Sequence, residues 1–392
     1  MNKYVFILIC SSLVILLTGC WDEIDIEERG FIVGSAIDLA ENHEADKPQV
    51  TVTNQFVVPS GLGSPAEAGG GGKAFENLSV SGGSIFEIFR EMGTLNNTVP
   101  FREHLKIIIV SEEVAREPDL FSSLMDTYVR DHEMRREVRV LISQGDAREI
   151  LEIEPENEEL PAMYINDVIE NRDRNLETLT PVRIGDIHEF LLDGSSYVIP
   201  RITPRGNKVE YQGAGVFYGH DNSIAGVLND DEATGLNLIN GNKKGGTINF
   251  EVEGRPMTFE IENMKKNIKI DAKDVENINI SITVDAEGVI SEMFGDRSLL
   301  QPEYMSEIEG NASKKMEELM NGVLEKGQNE LGVDFFDFHN ILKQNHYKKW
   351  EQIKDNWDHG DNIFAQSNID VSANITVRST GASDRTKSQG RE

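Results

Sequence analysis

The chain is short of cysteine, of positive charge and of long hydrophobic runs, and each shortage excludes something. Two cysteines, Cys10 and Cys20, stand among 392 residues, both near the N-terminus. No disulfide framework can staple the body, so its stability must come from burial. Lysine and arginine number 38 against 68 aspartates and glutamates, a net charge of −30. So acidic a surface offers no basic footprint for nucleic acid. It is also repelled by anionic lipid, and its plain effect is to keep the body soluble. No run of 18 or more apolar residues occurs, so no segment reads as a bilayer-spanning helix.

Catalytic signatures are equally scarce. Gly69 to Gly72 precede Lys73, but a phosphate cradle needs Ser or Thr after the lysine and a glycine five positions before Gly72. Those places hold Ala74 and Glu67, and the stretch reads as a loop. His339 and His346 are seven apart, not on one helical face, and the mature chain keeps no thiol to share a metal. No Asp-rich calcium loop and no Gly-x-Ser-x-Gly elbow is present. Ser81-Gly82-Gly83-Ser84 reads as the lead-in to a helix. The expectation is a non-enzyme with no cofactor and no metal.

What is present starts at the N-terminus. Lys3 supplies a positive charge, Tyr4 to Leu17 form a 14-residue apolar stretch, and Leu17-Thr18-Gly19-Cys20 closes it. This is the three-part grammar of a cleaved signal. The stretch reaches only about 21 Å as a helix, short of the roughly 30 Å hydrocarbon core. The Leu-Thr-Gly spacing before Cys20 distinguishes a lipoprotein signal from an ordinary secretory one. We therefore expect a signal peptide over 1–19, cleaved between Gly19 and Cys20. Cys20 would carry an S-diacylglycerol and an N-acyl chain. The mature body of 373 residues (392 minus 19) would then hang outside the membrane by its acyl chains. Each buried methylene contributes about 0.8 kcal/mol, and two or more chains make attachment stable. Trp21 either sits in the headgroup region or packs on the body, and the residues leave both open.

Periodicity along the body is of two kinds. The first half alternates strand and helix. Val50 to Val58 and Leu105 to Val110 read as strands, as does Val138 to Ile142. Helices are expected from Ser84 with Ile85, Phe86, Phe89 and Met92 on one stripe, from Asp119, from Asp146, and around Ile165 and Ile187. Tyr197-Val198-Ile199 is a short strand, and residues 200–207, with two prolines and a glycine, read as the main domain boundary. The second half is a meander: Val209 to Tyr218, Ile224 to Leu228, and a hairpin turning at Gly254-Arg255-Pro256-Met257. A helix capped by Asp230 or Asp231 interrupts it. Then come the alternating run Ile278 to Val284, a long helix from Ile308 to Leu331 and a second from Ile341 to Trp357. The last strand is Ile369 to Val377. The expected fold is α+β in several domains. An alternating strand/helix layer leads, and an antiparallel sheet packed with long helices follows. The division is 20–205, as one domain or two, 206–379, and a polar tail at 380–392. Trp350 and Trp357, in His346-Tyr347-Lys348-Lys349-Trp350 and Asn356-Trp357-Asp358, are either core residues or aromatic anchors of a protein interface.

Several landmarks together resemble one family. Cys20-Trp21-Asp22 and Phe31-Ile32-Val33-Gly34-Ser35-Ala36-Ile37-Asp38 come first. Tyr197-Val198-Ile199-Pro200 and Gly213-Ala214-Gly215-Val216-Phe217 follow, then Gly226-Val227-Leu228-Asn229-Asp230-Asp231-Glu232-Ala233-Thr234-Gly235-Leu236. The series ends in the Tyr347–Trp350 and Asn356–Asp358 segments. In this order and spacing they resemble the Ger(x)C spore germination lipoproteins. The resemblance implies the C subunit of a germinant receptor, lipid-anchored on the outer face of the inner spore membrane. Its partners would be two integral-membrane proteins, the A and B subunits, and no catalysis is associated with it. Members of that family often carry basic residues after Cys-Trp-Asp; here Glu23, Asp25, Glu27 and Glu28 stand there, which weakens any contact of this tether with the membrane surface. The rival reading, a solute-binding lipoprotein of a transporter, needs two similar lobes about a cleft, and the two halves differ in pattern.

Cys20→Ala should abolish lipidation and release the protein from the membrane fraction. Mass spectrometry of the native N-terminus checks the first, and fractionation the second.

Overall fold

The computed structural model describes residue 3 and residues 25–379, apart from 44–47, 64–71, 171–174, 242–244 and 295–296. The expected signal peptide, the cleavage point, Cys20, Trp21, most of the glycine loop and the tail at 380–392 lie outside the described residues.

The chain enters on β1 (Arg29–Leu39), which pairs antiparallel with β2 (Val50–Val57), and β2 with β3 (Phe75–Gly82). Helix α1 (Ile85–Leu95) begins after Ser84 as expected. Its buried stripe is Ile85, Ile88, Phe89 and Met92; Phe86, expected inside, is 62% exposed. The reason is angular: Ile88 lies nearer the centre of the stripe, and Phe86 falls about 100° from Ile85 on its far side. Short β4 (Val99–Phe101) then runs parallel to the first residues of β1.

Next come β5 (Ile107–Ser111), α2 (Glu112–Arg116), α3 (Leu120–Arg130), β6 (Arg139–Ser143), α4 (Ala147–Leu151) and α5 (Pro161–Glu170). The two-residue β7 (Val182–Arg183), α6 (Ile184–Asp193), β8 (Tyr197–Arg205), β9 (Lys208–Phe217) and β10 (Ile224–Leu228) complete this part. The sheet order is β10-β9-β8-β6-β5-β1-β2-β3. The four central strands, β8, β6, β5 and β1, are parallel, and antiparallel strands extend the sheet on both sides. Why β5 is a continuous apolar run is now plain. Ile107 and Ile109 face the core under α4 and α5, while Ile108 and Val110 face the one under α1, α3 and α6. A strand covered on both sides needs apolar residues at every position. Asp38, at the end of β1, accepts hydrogen bonds from the backbone of Ala147 (2.6 Å) and Arg148 (3.0 Å) at the start of α4. Burial pushes its carboxyl up to about 6 although both donors work the other way.

Residues 200–207 do not link two bodies. They are most of β8 and its turn into β9, which pair from Tyr197↔Phe217 to Arg205↔Lys208. Pro200 and Pro204 do not end the strand, and the sheet runs through the expected boundary to Leu228. Helix α7 (Asp230–Asn240) follows. Its cap is Asn229, not Asp230 or Asp231: Asn229 accepts from the Glu232 backbone (2.9 Å) and Glu232 from the Asn229 backbone (2.8 Å).

The second sheet is β11 (Gly246–Val252), β12 (Arg255–Asp271), β13 (Asn279–Met293) and β14 (Asn368–Ser379), in that order. The hairpin turns earlier than expected, on Glu253 and Gly254, whose φ of 53° and 73° suit a two-residue loop. β14 pairs parallel, not antiparallel, with β13. Between them the chain makes a helical excursion that returns it to the same end of the sheet: α8 (Pro302–Glu325), a π-helical turn at Lys326–Leu331, α9 (Phe338–Asn345), α10 (Tyr347–Ile353) and α11 (Ile363–Gln366). The single helix expected from Ile341 to Trp357 is broken near His346 and ends in a 3₁₀ turn at Lys354–Asn356.

Helix α8 lays Ile308, Ala312, Met316 and Val323 into the core of the second sheet. That core also contains Ala214, Val216 and Leu228 from the first sheet. One flank of α8 reaches the outer edge of β14, where Glu309, Ser313 and Glu317 accept from the backbone N–H groups of Val377 (2.9 Å), Ile375 (3.1 Å) and Ala373 (3.0 Å). Spaced four residues apart on the helix, they match every second residue of the strand.

Helices α7 and α8 meet at Gly235, where a Cβ would lie 2.2 Å from the Leu319 carbonyl oxygen. Gly235→Ala should destabilise the protein by about 1–3 kcal/mol, the usual cost of overpacking, read as a lower urea midpoint.

Candidate functional site

The residues after the π-helical turn are Val333-Asp334-Phe335-Phe336, and all four side chains are buried. A carboxylate in such surroundings must be paired or hydrogen-bonded. Asp334 accepts from the backbone of Phe336 (3.1 Å), Phe338 (3.4 Å) and His339 (2.8 Å), and from the Trp357 indole N–H (2.7 Å). His339 Nδ1 lies 3.6 Å from the same carboxylate. Asp334 thus gathers the start of α9 and the end of the α10 segment around one group.

Rings fill the space about it. Phe335 and Phe336 stack at 4.3 Å, Trp357 lies 5.8 Å from Phe364, and Trp350 stands edge-on to Trp357 at 6.3 Å. Trp357 is 2% exposed and its indole is bonded inside the core, the first of its two readings. Trp350 is half-buried and lines a cleft of about 330 Å³ with Asp193, Ser196, His339, Lys343 and Asp358.

The cleft is a seam between the two sheets' bodies. From the first, Ser196 donates to Asp358 (2.6 Å) and accepts from the Gly219 backbone (3.0 Å). Lys343 pairs with Asp193 at the end of α6. Gly219 has no room for a side chain, since a Cβ there would sit 2.2 Å from the Gly194 carbonyl oxygen. The His339 Nε2 atom is buried without a hydrogen-bond partner, 4.0 Å from Asp193 and 3.9 Å from Asp337.

Burial raises the Asp334 carboxyl, but His339, the Trp357 N–H and the His339 backbone more than offset it, and the group sits below its ordinary value of 3.8. Burial lowers the His339 imidazole, but the carboxylates of Asp334, Asp337 and Asp193 outweigh that and hold it above its ordinary 6.5. The arrangement binds chain segments together: the Ser196 hydroxyl is itself committed to Asp358 and to the Gly219 backbone. Among the described residues no group of three His, Cys, Asp or Glu side chains is placed to hold a metal ion. No helix among them is long and apolar enough to cross a membrane.

Sequence reasoning found Trp350 and Trp357 but missed Asp334, Asp193 and Ser196. A lone acid between Val333 and Phe335 was the available signal, because an apolar run rarely carries a charge unless the fold satisfies it.

Comparison with known proteins gives the class. Residues 22–204 match the "Spore germination protein N-terminal domain" family and residues 212–381 the "Spore germination B3/GerAC like, C-terminal" family. The two matches meet within the β8–β9 hairpin. The chain belongs to the Ger(x)C family of GerAC- and GerBC-like spore germination proteins. Among relatives from Bacillus subtilis (strain 168), spore germination protein YndF is 27% identical over 394 residues, covering 96% of both chains. Spore germination protein B3 is 27% identical over 368 residues, covering 93% of this chain and 95% of its own. The crystal structure of the GerBC protein shares the fold, with a TM-score of 0.60 at 22% identity over 88% of this chain and 97% of that one.

The titrations have opposite senses. A raised imidazole contributes stability that is complete below 6.5 and fades as pH climbs through its folded value. A depressed carboxyl contributes above 3.8 and loses it as pH falls through its folded value. His339→Gln should therefore cost most between these limits and less in alkali, checked by thermal unfolding on both sides of 6.5. Asp334→Asn should cost roughly 1–3 kcal/mol, since it leaves donors short of their acceptor.

Proposed function

We propose that the protein is the lipid-anchored C subunit of a spore germinant receptor, acting by binding and not by catalysis. Cys20 carries the acyl chains, and the body lies on the outer face of the inner spore membrane beside integral-membrane A and B subunits. The observation that carries this is the family match on both halves of the chain, joined to the signal grammar ending at Cys20.

A solute-binding lipoprotein would need two like lobes. The first sheet here has a parallel centre between antiparallel flanks, and the second is an antiparallel meander with one parallel strand added. The two are unlike, and the cleft between them is crossed by Ser196–Asp358 and Asp193–Lys343.

Deletion of the gene should leave sporulation intact and slow or abolish germination in response to the cognate nutrient, followed as loss of optical density. Restoration by the full chain but not by Cys20→Ala would support the anchored role. Normal nutrient germination without the protein would end it.

A further inference from the structure

Between α1, α3 and β4 the N-terminal body has a largely apolar groove of about 690 Å³. Phe86 and Val99 stand at its lip, 62% and 49% exposed, and Phe89, Gly93 and Pro100 line it. Large apolar side chains left in water beside a concavity mark a contact surface. Its charges are mixed. Asp126 is held by Arg130 (2.7 Å), and Asp131 by Arg102 (2.8 Å). Arg90 has no carboxylate partner among the described residues; its guanidinium lies 5.8 Å from the Phe86 ring centre. Arg90 thus places a cation beside an exposed ring, with Glu87 and Glu91 near it on α1.

The position of the groove says what covers it. Val99 is the strand partner of Arg29, the residue at which the chain enters the fold. The lip of the groove is therefore one strand spacing, about 4.8 Å, from the root of the tether. Eight residues lie between Cys20 and Arg29, and their reach is under about 30 Å, since Ile26–Glu28 are wound into a 3₁₀ turn. An anchored protein thus carries this face within a short radius of the lipid, while the second sheet lies across the body from it.

We propose that the α1–α3 groove is the membrane-apposed face, with Phe86 and Val99 entering the interfacial layer and Arg90 meeting lipid phosphate. The proposal rests on lipid attachment at Cys20. It fits the physics of interfacial binding, in which apolar burial and a cation act together. It also assigns membrane contact to the folded body, not to the acidic tether.

The mature chain has no thiol besides Cys20, so a single introduced cysteine can be labelled cleanly. Lipidated full-length protein bearing Phe86→Cys or, separately, Val99→Cys would carry an environment-sensitive fluorophore. It would be reconstituted in phosphatidylcholine/phosphatidylglycerol vesicles, with Leu300→Cys, exposed in the second body, as the reference. The expected result is a blue shift and quenching by nitroxide-labelled lipid at 86 and 99, but not at 300, with Arg90→Glu weakening both. Protein that is lipidated by mass and floats with vesicles, yet shows no quenching at either site, overturns the proposal and leaves the anchor standing. A shift seen only in membranes that hold other receptor proteins also overturns it, since the groove would then be a protein-binding face. An unmodified Cys20 with no flotation overturns the anchor and this proposal together.

Discussion

A single carboxylate with no water around it organises the C-terminal third of this protein. Asp334 needs several donors, and the chain supplies them from three directions: its own following turn, the start of α9 and the Trp357 indole. Each donor is a constraint on where a helix can lie. The start of α9 and the turn after α10 are held to this one acceptor, and α11 is tied beside them through Gln328, which donates to the Phe364 carbonyl. Removing the charge would leave those N–H groups facing hydrocarbon, which is why the cost falls on the arrangement as a whole.

The same region also joins the two halves. The first sheet does not stop where the two family matches meet; it continues through β9 and β10 and lends Ala214, Val216 and Leu228 to the core of the second. The seam adds polar ties, Ser196 to Asp358 and Asp193 to Lys343. Two sequence modules thus share one apolar interior. Side chains of the first sheet and of the second therefore pack in the same core, so a substitution at Ala214, Val216 or Leu228 touches both.

Much of this was legible in the residues, and the failures have physical causes. The buried run at 107–110, the amphipathic helix after Asp119 and the alternating last strand were all plain, because each carries one unbroken period. Residues 200–207 carry Pro200 and Pro204 within a strand, which the prolines alone did not disclose, although the two family matches part there, at 204 and 212. The direction of β14 was invisible locally, because a strand's alternation is the same whichever way it runs; only the length of the helical excursion bears on it. Trp350 and Trp357 both stand among polar residues, yet Trp357 is sealed in the core and Trp350 is half-buried. Asp334, whose partners lie up to 23 residues away, shows in sequence only as a charge out of place.

The helix side chains laid along the last strand have a further meaning wherever copies of the protein are crowded together. Anchoring concentrates molecules on a surface and aligns them, which is the condition under which open strands zip into fibres. Glu309, Ser313 and Glu317 occupy the donors through which a neighbouring copy would polymerise. Copies of the chain brought close together then meet a margin already occupied, not an open template for aggregation.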